Sequence, residues 1–167
     1  MPPSEPILAK PYKAPAVRGT LGDGSSYPPR SKASAGAKPV WRVLYFYPKD
    51  MTSGCTRQAE DFQAQSKTFA KLGAEVIGVS RDSCARHQSF SEKHGLTFAL
   101  IADEDGALCQ AYGVWKEKKL YGRAYMGIER STFVLDPKGL VVAEWRGVKV
   151  PGHVDEVLAA LRDLMDR

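Results

Sequence analysis

The sequence predicts an α/β protein: a central mixed β-sheet with helices on both faces. Three observations lead there. Apolar β-rich runs alternate with helix-period segments from Trp41 to Tyr112, a pair of strands brackets a tight turn after Ser131, and an amphipathic helix closes the chain.

The first forty residues stand apart from this pattern. Eight of the eleven prolines lie there, mixed with Gly, Ser and Ala, so residues 1–39 read as an extended arm and loop rather than as helix. Within the arm, Leu21-Gly22-Asp23-Gly24 is suited to a small hairpin, because Asp-Gly supplies the positive φ of a tight turn. Ser31 to Lys38 reads as a loop. Residues 40–167 then form the main domain.

Trp41 to Tyr47 is β-branched, aromatic and nearly all apolar, the signature of a strand buried on both faces, and Pro48 ends it. From about residue 55 to 72, Ala59, Phe62, Ser66, Phe69 and Leu72 recur at helical spacing before Gly73. Ala74 to Ser80 is a second strand. Asp82 or Ser83 caps a helix that runs to about His94 and stops at Gly95. Phe98 to Ala102 is a third strand, followed by a short helix over Asp105 to Tyr112. Residues 114–129 are polar and read as a loop with a short strand. Ser131 to Asp136 and Leu140 to Arg146 flank Pro137-Lys138-Gly139 as a hairpin. Val154, Val157, Leu158, Leu161, Leu164 and Met165 make one face of the last helix, with Asp155 and Glu156 at its start and Arg162 toward its end. The order βαβαβα followed by ββα gives a parallel sheet extended by antiparallel strands, the thioredoxin-like arrangement.

Composition excludes several classes. With 167 residues, 43% hydrophobic and 26% charged, the chain is an ordinary globular domain. No apolar run is long enough to span a membrane, and the opening MPPSEPILAKPYK has no signal-like stretch. The net charge of +5 comes entirely from residues 1–42, which hold seven cations and two anions; the remainder is neutral, so a nucleic-acid surface is not indicated. Three cysteines leave at least one free thiol, which fits the cytoplasm.

The chemistry gathers where the first long strand meets the first helix, since open α/β sheets place reactive groups at such junctions. Cys55 falls at the N-terminus of that helix, where unpaired N–H groups and the helix dipole favour a thiolate. Other thiol chemistries fit poorly. Cys55-Thr56-Arg57-Gln58 has no Cys-x-x-Cys pair, and Cys55, Cys84, Cys109, His87, His94 and His153 lack zinc-like spacing. His87 and His94, seven apart on one helix, read as solvated, and Cys109 as a small core residue. Taken alone, Arg130 reads as a salt-bridge partner of Glu129.

Pro48-x-x-x-Thr52-x-x-Cys55 closely resembles the peroxiredoxin active-site loop. The surrounding stretches VLYFYPKDMTSGCT, EVIGVSRDS and YGRAYMGIERSTFVLD resemble the bacterioferritin-comigratory-protein branch, also called peroxiredoxin Q, from about residue 40 to 166. The resemblance implies a thioredoxin-like fold and a thiol peroxidase for hydrogen peroxide and organic hydroperoxides, recycled by thioredoxin or a similar dithiol protein. It implies no metal, haem or flavin, and a monomer. Cys55 would be the nucleophile that becomes a sulfenic acid. Thr52 would bond the peroxide, and the Gly54 and Cys55 N–H groups would point at its oxygens. Arg130 would stabilise the thiolate and the leaving oxygen, and Pro48 would shield the sulfur.

The sequence departs from the family where a resolving cysteine is expected: Glu60 and Ser91 hold the two usual positions, and Ser53 replaces a common proline. Cys84 lies in the second of those helices, seven residues before Ser91. Either Cys84 resolves Cys55, which requires local unwinding to bring the Cα atoms within about 7 Å, or an external thiol does so. The alternative to an enzyme is a redox-sensing or interaction protein that keeps the fold without peroxidase turnover.

Overall fold

In a computed structural model that describes residues 6–28 and 40–167, one eight-stranded sheet organises the chain. The strands are β1 (Ile7–Lys13), β2 (Gly19–Leu21), β3 (Ser26–Tyr27), β4 (Trp41–Phe46), β5 (Ala74–Ser80), β6 (Ala99–Ala102), β7 (Trp115–Leu120), β8 (Arg123–Ile128), β9 (Ser131–Leu135) and β10 (Leu140–Arg146). The helices are α1 (Ser53–Ala64), α2 (Ser66–Lys71), α3 (Cys84–His94), α4 (Ala107–Ala111) and α5 (His153–Met165). Sheet order is β1-β10-β9-β4-β5-β6-β2-β3, with β7 and β8 forming a separate two-stranded sheet.

β4, β5 and β6 run parallel, as the alternating pattern predicts, and β9 joins β4 antiparallel. Side chains alternate across the sheet along β4 and the residue after it: Val43, Tyr45 and Tyr47 enter a core closed by α1, α2, α3 and α5, while Leu44 and Phe46 enter a second core beneath α4. The arm contributes more than an extended segment. β1 pairs with β10 at one edge, and the β2–β3 hairpin, turning at Gly24 with φ +86°, pairs with β6 at the other. The Ser31–Lys38 loop lies outside the described residues.

Three readings need correction. The helix expected over 55–72 is two helices, because Gln65 breaks it at φ −104°, ψ 11°. The stretch 114–129 is the β7–β8 hairpin: Tyr121 (φ +50°) and Gly122 (φ +77°) turn it, and polar residues on both of its faces hide the alternation. His87 is wholly buried rather than solvated, for reasons that belong to the site. No helix among the described residues is long and apolar enough to cross a membrane.

Candidate active site

The loop from Tyr47 to Thr52 leaves the C-terminal end of β4 and delivers the chain into α1, so Cys55 sits in the first turn of that helix. Thr52 occupies the N-cap position in extended conformation, yet its hydroxyl does not cap the helix. It donates instead to the Lys49 carbonyl at 2.8 Å. The first helical bond runs from the Thr56 N–H to the Thr52 carbonyl, so the N–H groups of Gly54 and Cys55 precede the ladder. Unpaired N–H groups in a first helical turn carry the positive end of the helix dipole.

Cys55 is 2% exposed, packed with Ala59 and Phe62 on the inner face of α1. Arg130, between β8 and β9, reaches it from the opposite side: Nη2 donates to Sγ at 3.2 Å, and Nη1 donates to Gln58 Oε1 at 2.5 Å. The guanidinium sets a permanent positive charge directly against the sulfur. Arg130 thus turns to the thiol and Gln58, with no ion pair to Glu129 among the described residues. A Cβ on Gly54 would lie 3.5 Å from Arg130 Nη2, so glycine keeps that face of the guanidinium uncovered.

Pro48 is exposed and lines a cleft of about 390 Å³ with Trp115, Lys118, Tyr125 and Met126. Burial and the Arg130 charge push the Lys118 ammonium below its ordinary range, while Glu129 and Cys55 oppose them. Arg81 stacks over Trp115 at 4.5 Å and fixes one wall of the cleft. Cys84 is the first residue of α3, half-buried, following the Ser83 N-cap. α1 and α3 follow the neighbouring strands β4 and β5, so both thiols begin helices at the same end of the sheet. All three cysteines are free. Cys109 is buried in α4, where burial and the Asp103 carboxylate push its thiol up.

Sequence reasoning missed the residues that hold the loop. Asp50 is 1% exposed, and its carboxylate meets the Tyr47 hydroxyl and the His87 ring. Its backbone N–H donates to Asp82 at 2.8 Å, and its carbonyl accepts from Arg86. Asp50, Asp82 and His87 place ligand atoms within 4.8 Å of one another, and these atoms are engaged by protein partners. The available signal was position. His87 lies three residues before Phe90 on the inward face of α3, and Gln58 lies three after Cys55 on that of α1.

Residues 13–144 match the AhpC/TSA family. The chain is 56% identical to Peroxiredoxin Bcp of Xanthomonas campestris over 73% of its own length and 76% of that protein. It is 53% identical to Peroxiredoxin Bcp of Bacillus subtilis over 78% and 83%. A solved structure of Xanthomonas campestris Peroxiredoxin Q with a mutated cysteine superposes at TM-score 0.81 and 46% identity, covering 95% of this chain and 98% of that one. Another, of the bacterioferritin comigratory protein from the same organism, concerns alkyl peroxide reduction and superposes at TM-score 0.79 and 49% identity over 88% and 90%. With a thiol contacted by a guanidinium at a helix N-terminus, on this fold and among these relatives, the chain belongs to the peroxiredoxins of the AhpC/TSA family, thiol-dependent peroxidases of the Bcp/peroxiredoxin Q branch.

Proposed function

We propose that Cys55 is the peroxidatic residue and reduces hydrogen peroxide and organic hydroperoxides. The thiolate attacks one peroxide oxygen, an S–O bond forms as the O–O bond breaks, and the departing oxygen takes a proton to leave as water or an alcohol. The 3.2 Å contact from Arg130 to the sulfur carries this reading, because it puts a fixed positive charge where negative charge moves from sulfur to oxygen. Thr52 donates to Lys49, which orients its hydroxyl oxygen to accept from the peroxide O–H. The Gly54 and Cys55 N–H groups face the developing oxyanion. Pro48 narrows the approach from the cleft.

The sulfenic acid then condenses with a thiol, releasing water and leaving a disulfide that a second thiol reduces. Thioredoxin or a similar dithiol protein is the proposed reductant, and the condensing thiol is either Cys84 or that of the reductant. The proposed catalytic unit is residues 40–167, to which the arm adds edge strands. It acts as a monomer in the cytoplasm, a reducing compartment in keeping with three free thiols. No metal or organic cofactor enters the cycle.

Replacing Cys55 by Ser and following peroxide consumption with a thioredoxin system tests the mechanism. Loss of turnover is expected, and unchanged turnover rejects it. Mass spectrometry after one equivalent of peroxide separates the two recycling routes: a Cys55–Cys84 bridge identifies internal resolution, and a persistent sulfenic acid identifies the external thiol. A redox-sensing protein without turnover would form the sulfenic acid but not consume further peroxide.

A further inference from the structure

The Tyr47–Thr52 loop is held by one residue whose polar groups are all spoken for. Asp50 directs its N–H to Asp82 (2.8 Å), receives Arg86 Nη2 on its carbonyl (3.2 Å), and meets Tyr47 and His87 through its two carboxylate oxygens (2.5 and 2.6 Å). Three of these four partners lie on α3 or the turn entering it, outside the loop.

The proton count of the innermost pair follows from its neighbours. His87 Nε2 faces the Ile101 carbonyl at 2.9 Å, an acceptor only, so Nε2 carries a hydrogen. Nδ1 faces Asp50 Oδ2, and the Tyr47 hydroxyl donates to Oδ1. One further proton therefore lies between Nδ1 and Oδ2, at a site where both side chains are 0% exposed. Unshared, either group would be a buried polar atom without a partner. The groups facing the pair are Tyr47 at the start of the loop, Asp82 from the turn entering α3 and Arg86 from its first turn, with Arg86 held to Asp82 at 3.0 Å.

What this anchor holds lies on both sides of it in sequence. Met51, the next residue, has φ +69°, a left-handed conformation that a non-glycine residue keeps only when its surroundings fix it. Lys49, the preceding residue, offers the carbonyl that orients the Thr52 hydroxyl. Releasing Asp50 frees the Met51 backbone and shifts the Lys49 carbonyl, and with them Thr52 and the first turn of α1.

We propose that Asp50 and His87 are a positioning pair for peroxide reduction: the buried proton they share fixes the turn at Lys49–Met51 and so sets Thr52 and the Gly54 and Cys55 N–H groups around the sulfur. Neither residue touches substrate. The inference rests on Cys55 as the reacting thiol, and the effect expected is that of a small misplacement in a site that depends on alignment.

The test compares two reactions of the same sulfur: its rate constant with hydrogen peroxide, and its alkylation by iodoacetamide followed at Cys55 by mass spectrometry. Asp50→Asn and His87→Leu should lower the peroxide rate constant by about tenfold to a hundredfold. Alkylation should be as fast as in the wild type or faster, because a freed loop exposes the thiol. His87→Asn places an amide N–H where Nδ1 donates, and should restore the peroxide rate constant to within about threefold of wild type, in keeping with the small net cost of exchanging one donor for another. If His87→Leu does not fold, Tyr47→Phe replaces it, with a fall of about threefold to tenfold expected for losing one hydrogen bond to a charged group. Peroxide and alkylation rates falling together would overturn the proposal. So would an unchanged peroxide rate in the folded variants, or a His87→Asn no better than His87→Leu. A wild-type protein that consumes no peroxide would overturn the role of Cys55 instead, which keeps the two failures apart.

Discussion

Arg130 holds Cys55 and Gln58 at once, one with each terminal nitrogen, so α1 supplies both the sulfur proposed to react and the clamp on its charge partner. Gln58 is fully buried one turn after Cys55. The rigid fork of the guanidinium makes this double contact possible, and a lysine ammonium on a flexible stem does not reproduce it. Arg130→Lys should lower the peroxide rate constant by about a hundredfold to a thousandfold, the usual cost of losing a preorganised charge at a reacting centre. Gln58→Leu should cost about tenfold, the value of one hydrogen bond to a charged group. Stopped-flow tryptophan fluorescence reads both constants. Because the two residues share a contact, the double variant should fall short of the product of the single losses, and a fully multiplicative loss would refute the clamp.

The three thiols should separate by reactivity. Cys109 is buried beneath the sheet, and the Asp103 carboxylate beside it accepts the N–H groups of Leu108 and Cys109 at 3.0 and 2.8 Å. Burial first, then that carboxylate, push the Cys109 thiol up, away from the thiolate that alkylating agents attack. At pH 8 in native buffer, iodoacetamide should label the half-buried Cys84 and leave Cys109 unmodified; in urea all three should label. Native labelling of Cys109 at the pace of Cys84 would contradict this assignment.

His153 gives the fold a pH dependence of definite sign. Its ring is 3% exposed, bonded through Nε2 to the Thr132 hydroxyl at 2.8 Å and set edge-on against Trp145. Burial, aided by the Arg130 charge, lowers its pKa to about 4 from an ordinary 6.5. As pH falls the unfolded chain takes up the proton first. The stabilising contribution is therefore complete above about pH 6.5 and is lost progressively toward pH 4, on the order of 3 kcal/mol in all. Urea unfolding at pH 7.5 and 4.5 should show a smaller loss for His153→Gln than for the wild type. Equal losses would exclude His153 as the source.

Much of the sheet and the reacting loop could be read from the residues because their signals are local. The buried run of β4, the Gly-punctuated helices and the Pro48–Thr52–Cys55 spacing each declare themselves within ten residues. The β7–β8 hairpin does not, since it packs little and carries polar residues on both faces, Lys116 and Lys118 on one and Glu117 and Lys119 on the other. His87 reads as solvated from its polarity alone, yet it is fully buried. Its burial depends on Asp50, 37 residues away, and on the Ile101 carbonyl, partners brought near only by the parallel crossover from β4 to β5. Long-range pairing of this kind has no periodicity to betray it.

The break at Gln65 has a mechanical result. Cys55 is 2% exposed, which leaves a second thiol no open line to its sulfur, so the proposed cycle calls for the first turn of α1 to open. Were α1 and α2 one continuous rod, strain from that opening would travel into Phe69 and the packing beneath it. The interruption after Ala64 divides that rod, so in the proposed cycle the front of α1 yields while α2 keeps Phe69 seated.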